Sequence, residues 1–256
     1  MIGAALAAAG LDWIVPDWRV AANVHGLVTT RNGVQGATFD LGGHGTDDPE
    51  VLANRARLSE LLPSAPLWLR QVHGARVVRL DGRADPSWPE ADAAVTAEAR
   101  VVCSVRVADC MPVMVADRAG RCVGVAHAGW RGLAAGVLEN TVAALRDLGA
   151  SEVVAWLGPA IGPGAFEVGS DVRDAFCATD RKAAAHFAPH GVDKWLADLY
   201  ALARDRLRAC GVVSVQGGGR CTYTEPRQFF SYRRDRDTRR MGAFVWLDAS
   251  PRGPSV

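Results

Sequence analysis

Three side chains in this sequence combine a reactive or metal-ligating atom with a place at the end of an apolar run. They are His73 in "RQVHG", Cys110 in "VADC" and His127 in "VAHAGWRG". The intervals are 110 − 73 = 37 and 127 − 110 = 17 residues, which suits neighbouring strands delivering one ligand each to a common sheet edge. A zinc finger brings its ligands in close pairs, so that arrangement does not apply. Two imidazoles and one thiolate leave a tetrahedral Zn2+ an open position, as where a metal activates water or takes up substrate. Two plainer readings stand beside this one. Free cysteine is among the most buried residue types, so these side chains could be ordinary strand residues. A Cys110 thiolate beside the His127 imidazole would also be a nucleophile without any metal.

Such residues need strands and turns to carry them. "VHGLV" from Val24 reads as a strand running into the glycine-rich loop "NGVQGATFDLGGHGTDD". "DDPEVLANRARLSELL" reads as a helix, with Pro49 in its first turn and Asp47 or Asp48 as cap. "LWLRQVHGARVVRL" reads as two short strands around a His73–Gly74 turn, Asp81 to Glu90 as a loop, and Asp92 to Val95 as a return to the core. "VVCSVRVADC" and "PVMVAD" are strand runs joined across Met111–Pro112, and "CVGVAH" is the next strand. Gly129–Trp130–Arg131–Gly132 then makes a tight turn. One amphipathic helix follows, with the stripe Leu133, Val137, Leu138, Val142, Leu145 and Leu148, and Gly149 ends it. "VVAWLG" is a strand that breaks into a Gly-Pro loop, and "SDVRDAFCATD" is a helix capped by Ser170 or Asp171. The spacing predicts a further helix from Lys194 to Cys210. "VVSVQGGGRCTYT", "FFSYRR" and "MGAFVWL" read as strands, the last two paired through a charged loop. The opening "MIGAALAAAG" reads as a short helix or strand entry. Strands and helices mix without regular alternation, which favours an α+β domain with a mixed sheet over a doubly wound fold or a TIM barrel.

Composition narrows the function. A chain of 256 residues with 49% hydrophobic and 22% charged residues has ample material for a core. A net charge of +1 provides no field to attract nucleic acid or anionic lipid, so neither is an expected partner. No run approaches the ~18 apolar residues of a membrane span, and the N-terminus lacks a basic leader. Six cysteines (103, 110, 122, 177, 210 and 221) show no CxxC spacing and no disulfide-scaffold density, which points to a reduced, cytoplasmic protein. "GPAIGPG" lacks the GK[ST] of a phosphate loop, "RRDRDTRR" interleaves its charges, and Pro189 separates His186 from His190.

Several stretches taken together are similar to one family. "TTRNG", "WLRQVHGARVV", "ADAAVT", "ADCMPVMVAD", "HAGWRGLAAGVLENTV", "GPAIGPGAFEVG", "CTYTEPRQFFSYRRD" and the terminal Met-Gly-Ala-Phe resemble the laccase-domain proteins. These were first called multicopper polyphenol oxidases, and are now treated as purine nucleoside phosphorylase and adenosine deaminase enzymes. Some bacterial members are named peptidoglycan editing factors. The resemblance runs from Val24 to Leu247. It implies a single domain over residues 1–256, with two mixed β-sheets packed face to face and outer helices, an α/β/β/α sandwich. It also implies that His73, Cys110 and His127 ligate zinc, with copper in the same site under the oxidase name. The implied substrates are phosphate and purine nucleosides: phosphorolysis of adenosine, inosine, guanosine and methylthioadenosine, and deamination of adenosine. The editing-factor name implies instead action on a peptidoglycan precursor carrying a misplaced serine. A metal-binding regulator with little turnover is the alternative from another class, and monomer and homodimer both remain open.

Within that frame the remaining candidates acquire roles. Asp109 beside Cys110 is a candidate base or orienting residue, joining Cys110 and His127 as the catalytic set. Zn2+ lowers the pKa of bound water to about 7, which suits hydrolytic deamination at C6. The turn after His127 leads into a helix whose first amides could hold phosphate, with Arg131 adding a two-pronged contact. Arg31 in "TTRNG", Arg233 in "SYRRD" and Glu167 in "AFEVG" are further substrate or phosphate candidates, and His44 in "GGHGTDD" could cover the substrate. Each is otherwise a surface ion pair or loop anchor. Cys221 matches a family motif without an assigned role. Two stretches depart from the family pattern: "NGVQGATFDLGGHG" is shortened and puts Asp40 before Leu41, and "RRDRDTRRM" lacks the usual glycine-containing turn. Neither change touches the three ligand candidates.

Overall fold

The structure, a computed structural model, describes residues 2–83 and 88–249. In chain order its first elements are α1 (Ile2–Ala8), β1 (Val24–Val28), α2 (Pro49–Leu61), β2 (Val77–Arg79), β3 (Ala93–Thr96), β4 (Cys103–Val107), β5 (Met111–Asp117) and β6 (Val123–Ala128). Then come α3 (Trp130–Ala134), α4 (Val137–Asp147), β7 (Val153–Leu157), β8 (Glu167–Gly169), α5 (Ser170–Cys177), β9 (Phe187–Pro189), β10 (Lys194–Ala197), α6 (Leu199–Ala209), β11 (Ser214–Gly217), α7 (Tyr232–Asp235) and β12 (Met241–Leu247).

Six strands form a mixed sheet in the order β11-β7-β5-β6-β3-β2, and three form an antiparallel sheet in the order β1-β12-β4. A small third sheet runs β8-β10-β9. Because side chains alternate faces along a strand, each large sheet feeds two cores. Met111, Val113 and Val115 of β5 pack with Leu138, Val142 and Leu207 of α4 and α6. Met114 and Ala116 point the other way and meet Val105, Val107, Ala243 and Val245 of the three-stranded sheet. The far face of that sheet carries Phe244 and Trp246, which pack with Leu6 of α1 and Leu58 of α2. The layers are therefore helix, sheet, sheet, helix: a mixed α+β fold built as a two-sheet sandwich.

Several local expectations change. The helix read from Leu133 to Gly149 is two helices, because Gly136 adopts a left-handed conformation (φ 92°) between α3 and α4. The Gly-Trp-Arg-Gly stretch is thus not a plain turn: Gly129 is the cap and Trp130–Gly132 belong to α3. The helix read from Lys194 starts only at Leu199. Residues Lys194–Ala197 are strand β10, paired with β8 and β9, and the Asp198 side chain accepts from Ala201 N to begin α6. "FFSYRR" is not a strand. Phe229 and Phe230 are fully buried, the Ser231 hydroxyl accepts from Arg234 N, and Tyr232–Asp235 form α7, so β12 pairs with β1 and β4 instead.

Before the His73 turn, "LWLR" makes only the isolated bridges Leu67–Cys103 and Arg70–Glu90 rather than a ladder. Asp48, not Asp47, caps α2 by accepting from Glu50 N at 2.9 Å. Gly169 occupies the cap of α5 without a side-chain bond, in place of Ser170 or Asp171. Of the loop expected over Asp81 to Glu90, residues 84–87 lie outside the described residues.

Candidate metal centre and its cavity

Cys110 stands immediately before β5, His127 lies on β6 opposite Pro112, and His73 sits in the turn before β2. Strand pairing therefore brings together side chains that are far apart in sequence. Their ligand atoms all lie within 4.8 Å of one another, and the two imidazole rings meet edge-on with centroids 4.8 Å apart. His127 is buried, Cys110 partly buried and His73 exposed, so the group has a closed back and an open front.

Asp92 organises this group. Its Oδ1 lies 2.8 Å from His127 Nδ1, and its two oxygens also accept from the backbone amides of Val72 (3.1 Å), His73 (2.9 Å) and Gly74 (2.7 Å). His73 occupies the left-handed region (φ 61°), unfavourable for a side chain with a Cβ, and these bonds hold it there. With Nδ1 engaged by a carboxylate, His127 keeps Nε2 for a cation, the usual support for a ligating histidine.

The electrostatics favour the thiolate of Cys110 and hold on His127 a proton that a metal would displace. Burial raises the Cys110 thiol's pKa, but attraction to the His127 and His73 imidazoles outweighs it and holds the thiol below its ordinary value. Burial lowers that of His127, and the Cys110 and Asp92 charges more than restore it, leaving the imidazole above its ordinary value. Thiolate is the form that binds metal. The packing is fitted to this group too. A Cβ on Gly129 would lie 2.8 Å from Cys110 Sγ and 3.2 Å from His73 Cδ2. One on Gly132 would lie 2.6 Å from Gly74 O. Two nitrogens and one sulfur in this arrangement could hold a divalent transition-metal ion with an open position.

That open side faces a cavity of about 550 Å³. Trp130, Ile161, Phe166 and Tyr232 supply apolar wall, and Arg106, Arg131, Arg233 and Arg240 supply positive charge. Asp109 and His44 also line it. Asp109 adopts a left-handed conformation (φ 79°), and both its carboxylate oxygens are engaged: Oδ1 accepts from Thr222 Oγ1 and Oδ2 from Arg233 N, each at 2.6 Å. Of the sequence candidates, His44, His73, Asp109, Cys110, His127, Arg131 and Arg233 thus share one cavity.

Two candidates fall elsewhere. Arg31 is not among the lining residues: its guanidinium donates to Pro226 O at 2.8 Å and lies over the Phe230 ring. Glu167 lines an adjacent open cleft of about 390 Å³, 3.0 Å from His190 Nδ1, and its carbonyl accepts from Arg233. Cys221 lies in a separate pocket of about 210 Å³, where its sulfur accepts from Gly162 N at 3.2 Å.

Sequence reasoning missed Asp92, Gln71, Arg106 and Arg240. For Asp92 a signal existed, an acid inside the apolar run "ADAAVT". Asp40, one of the departures from the family pattern, acts as a loop anchor. Its Oδ1 accepts from Gly42 N and Arg240 N, tying the 40–44 loop to the start of β12. Among the described residues, no helix is long and apolar enough to cross a membrane.

Comparison with known proteins agrees with this architecture. "Purine nucleoside phosphorylase YfiH" of Escherichia coli (strain K12) is 52% identical over 241 residues, covering 91% of this chain and 98% of that protein. "Purine nucleoside phosphorylase PA4543" of Pseudomonas aeruginosa is 50% identical over 245 residues, covering 92% and 98%. The crystal structure of Neisseria meningitidis protein NMB0706 superposes with a TM-score of 0.85 at 48% identity, covering 93% of this chain and 100% of that one. YlmD from Geobacillus stearothermophilus gives a TM-score of 0.83 at 32% identity, covering 93% and 96%. With the model of the multi-copper polyphenol oxidoreductase laccase family matching residues 24–248, the chain belongs to that family.

Proposed function

We propose that this protein is a zinc-dependent purine nucleoside phosphorylase that also deaminates adenosine. The observation that carries this reading is the His73–Cys110–His127 group opening onto a cavity that pairs aromatic walls with arginines. The names of its relatives support the phosphorylase part. Trp130, Phe166 and Tyr232 offer faces and edges on which a purine can pack. The arginines suit a phosphate nucleophile and the charge it carries. In phosphorolysis a phosphate oxygen bonds to C1′ of the ribose as the C1′–N9 bond breaks. The proton of the phosphate leaves with the purine, and ribose 1-phosphate remains. In deamination water adds at C6 and ammonia departs. A divalent ion in the ligand set supplies Lewis acidity for these reactions.

The chain's own groups fix that chemistry in place. Asp92 sets the ring of His127 and the turn of His73, and Asp109 fixes Thr222 and the backbone of Arg233 at the cavity wall. His44, Arg131 and Arg233 line the space a nucleoside would fill. Copper-dependent phenol oxidation is the second reading, and the specific observation favouring it is the donor chemistry, since two histidines and a thiolate also suit copper.

The deciding experiment is metal analysis of protein purified without added metal, followed by incubation with adenosine with and without phosphate. Phosphate-dependent adenine release is the expected result, together with phosphate-independent inosine. Neither product from zinc-loaded protein would end this reading, and phenol oxidation by the copper-loaded form alone would replace it. Turnover that survives metal removal but is lost in Cys110→Ser would point to the metal-free thiol nucleophile.

A further inference from the structure

The cavity has two basic sides, and they are not equivalent. Arg131 is exposed and stacks on its neighbour Trp130 at 4.5 Å. The helix it begins, α3, has only five residues, so its dipole offers an anion little. Arg106 on the opposite side is 6% exposed. It projects from β4 on the face away from Val105 and Val107, and its two terminal nitrogens donate to Gly42 O and Leu69 O, both at 3.0 Å. Its Nε is buried and has no hydrogen-bond partner. Gln71 holds the strand in place by exchanging two bonds with the backbone of Arg106, at 2.8 and 2.9 Å.

Arg106 has no ion-pair partner among the described residues, and the ring centroids of Trp88 and Trp68 lie 4.6 and 5.8 Å from its Cζ. Among the described residues no carboxylate forms an ion pair with Arg106, Arg55 or Arg240. Arg55 donates to the carbonyls of Leu41 and Gly43, and Arg240 donates to that of Arg239. Asp40 is the acid that offsets this charge, and one of its oxygens already accepts two amides. Burial, then the nearby Arg55 and Arg240, lower the Arg106 pKa to about 9. A buried cation with an idle donor and like-charged neighbours costs stability unless an anion completes it.

We infer that Arg106 and Arg240 form the anion seat of the cavity and receive inorganic phosphate there, opposite the Gly129–Arg131 stretch. The planar fork of a guanidinium matches a phosphoryl dianion, and the site lies in the same cavity as the metal ligands. The inference rests on the phosphorolytic reading above for its substrate, but not for its geometry. A free phosphate and the 5′-phosphate of a nucleotide present the same chemistry, and the proposal is for the free ion.

Its test has a kinetic arm and a binding arm, both on the zinc-loaded full chain. In the kinetic arm, Arg106→Gln and Arg240→Gln raise the phosphate KM roughly 10–100-fold, the loss expected for a charged hydrogen bond, while the adenosine KM stays within about twofold. Arg131→Gln is the contrasting variant. A phosphate KM raised by that change, and not by the other two, overturns the proposal. In the binding arm, inorganic phosphate raises the melting temperature of the wild type, and this rise is lost in Arg240→Gln. Arg240 is only half-buried, and Arg106→Lys keeps the charge, so these two variants guard against simple misfolding. If the wild type releases no adenine, the phosphorolytic reading fails and the melting shift alone decides the seat. Equal phosphate stabilisation of wild type and Arg240→Gln overturns the seat, as does stabilisation by adenosine 5′-monophosphate without any by phosphate.

Discussion

At the scale of single residues, Asp92 does several things with one carboxylate. It accepts three successive amides and engages His127 Nδ1, so it fixes one candidate ligand through its ring and another through its backbone. Asp92→Asn should lower metal affinity by roughly 10–100-fold, measured by competition with a chromophoric chelator, because an amide must present a donor where acceptors are needed. The Cys110–His127 pair makes a second prediction. In metal-free protein the thiolate absorbance near the far-ultraviolet edge should persist well below the ordinary thiol pKa of about 8.5 and vanish in Cys110→Ser. A titration with the ordinary midpoint would remove the imidazole's influence from the account. Residue type and spacing marked the three side chains as candidates and the resemblance assigned them to a metal, whereas Asp92 was not singled out. Its work links residues 20 and 35 positions away, which no local pattern records. Arg106 and Arg240 escaped for the same reason: an arginine is ordinarily solvated, and only tertiary packing shows which one is not.

At the scale of elements, glycines decide how closely the turn before β2 and the start of α3 approach. Gly132→Ala would drive a Cβ against the backbone carbonyl of Gly74, which cannot swing aside, so a loss of about 1–3 kcal/mol is expected in urea unfolding. Gly129→Ala meets the ligand side chains themselves, so reduced metal content in a folded protein is expected there, read by metal analysis beside circular dichroism. The β5–β6 hairpin gives a pH prediction. Asp117 is fully buried; burial raises its pKa, but bonds from Arg121, Ser151 and Glu152 outweigh that and hold it below its ordinary value. A depressed carboxylate adds stability above its unfolded pKa of about 4 and loses it as pH falls through the folded value. Asp117→Asn should therefore be less stable than wild type at pH 7, with a gap that narrows on acidification in urea titrations. A gap independent of pH would sink this account. Short apolar runs bounded by turns, such as β5, β6 and β12, were legible, and all three are buried on both faces. The segment 194–197 was not, because its apolar spacing continues into α6 and only pairing with β8 and β9 separates them.

At the scale of the molecule, the candidate metal ligands belong to the six-stranded sheet and its flanking turns, while Arg106 comes from the three-stranded sheet facing it. The site thus depends on how the two sheets dock. Met114, fully buried between them, is the place to test this. Met114→Ala should cost about 2–5 kcal/mol in denaturant unfolding yet retain stoichiometric metal in the folded protein, since no ligand leaves its own sheet. The mixed α+β class was readable from the irregular order of elements, and the layered sandwich only through the family resemblance. The left-handed bend at Asp109 lets one stretch of chain leave β4 in one sheet and enter β5 in the other. Before it, odd-numbered side chains (103, 105, 107) face the core between the sheets; after it, even-numbered ones (114, 116) do. A one-residue slip of β5 against β6 and β7, as from an insertion or deletion that the 108–110 bend did not absorb, would turn every side chain of β5 to the wrong core and carry Cys110 away from His127. Here it is the count of residues, more than their identity, on which the molecule depends.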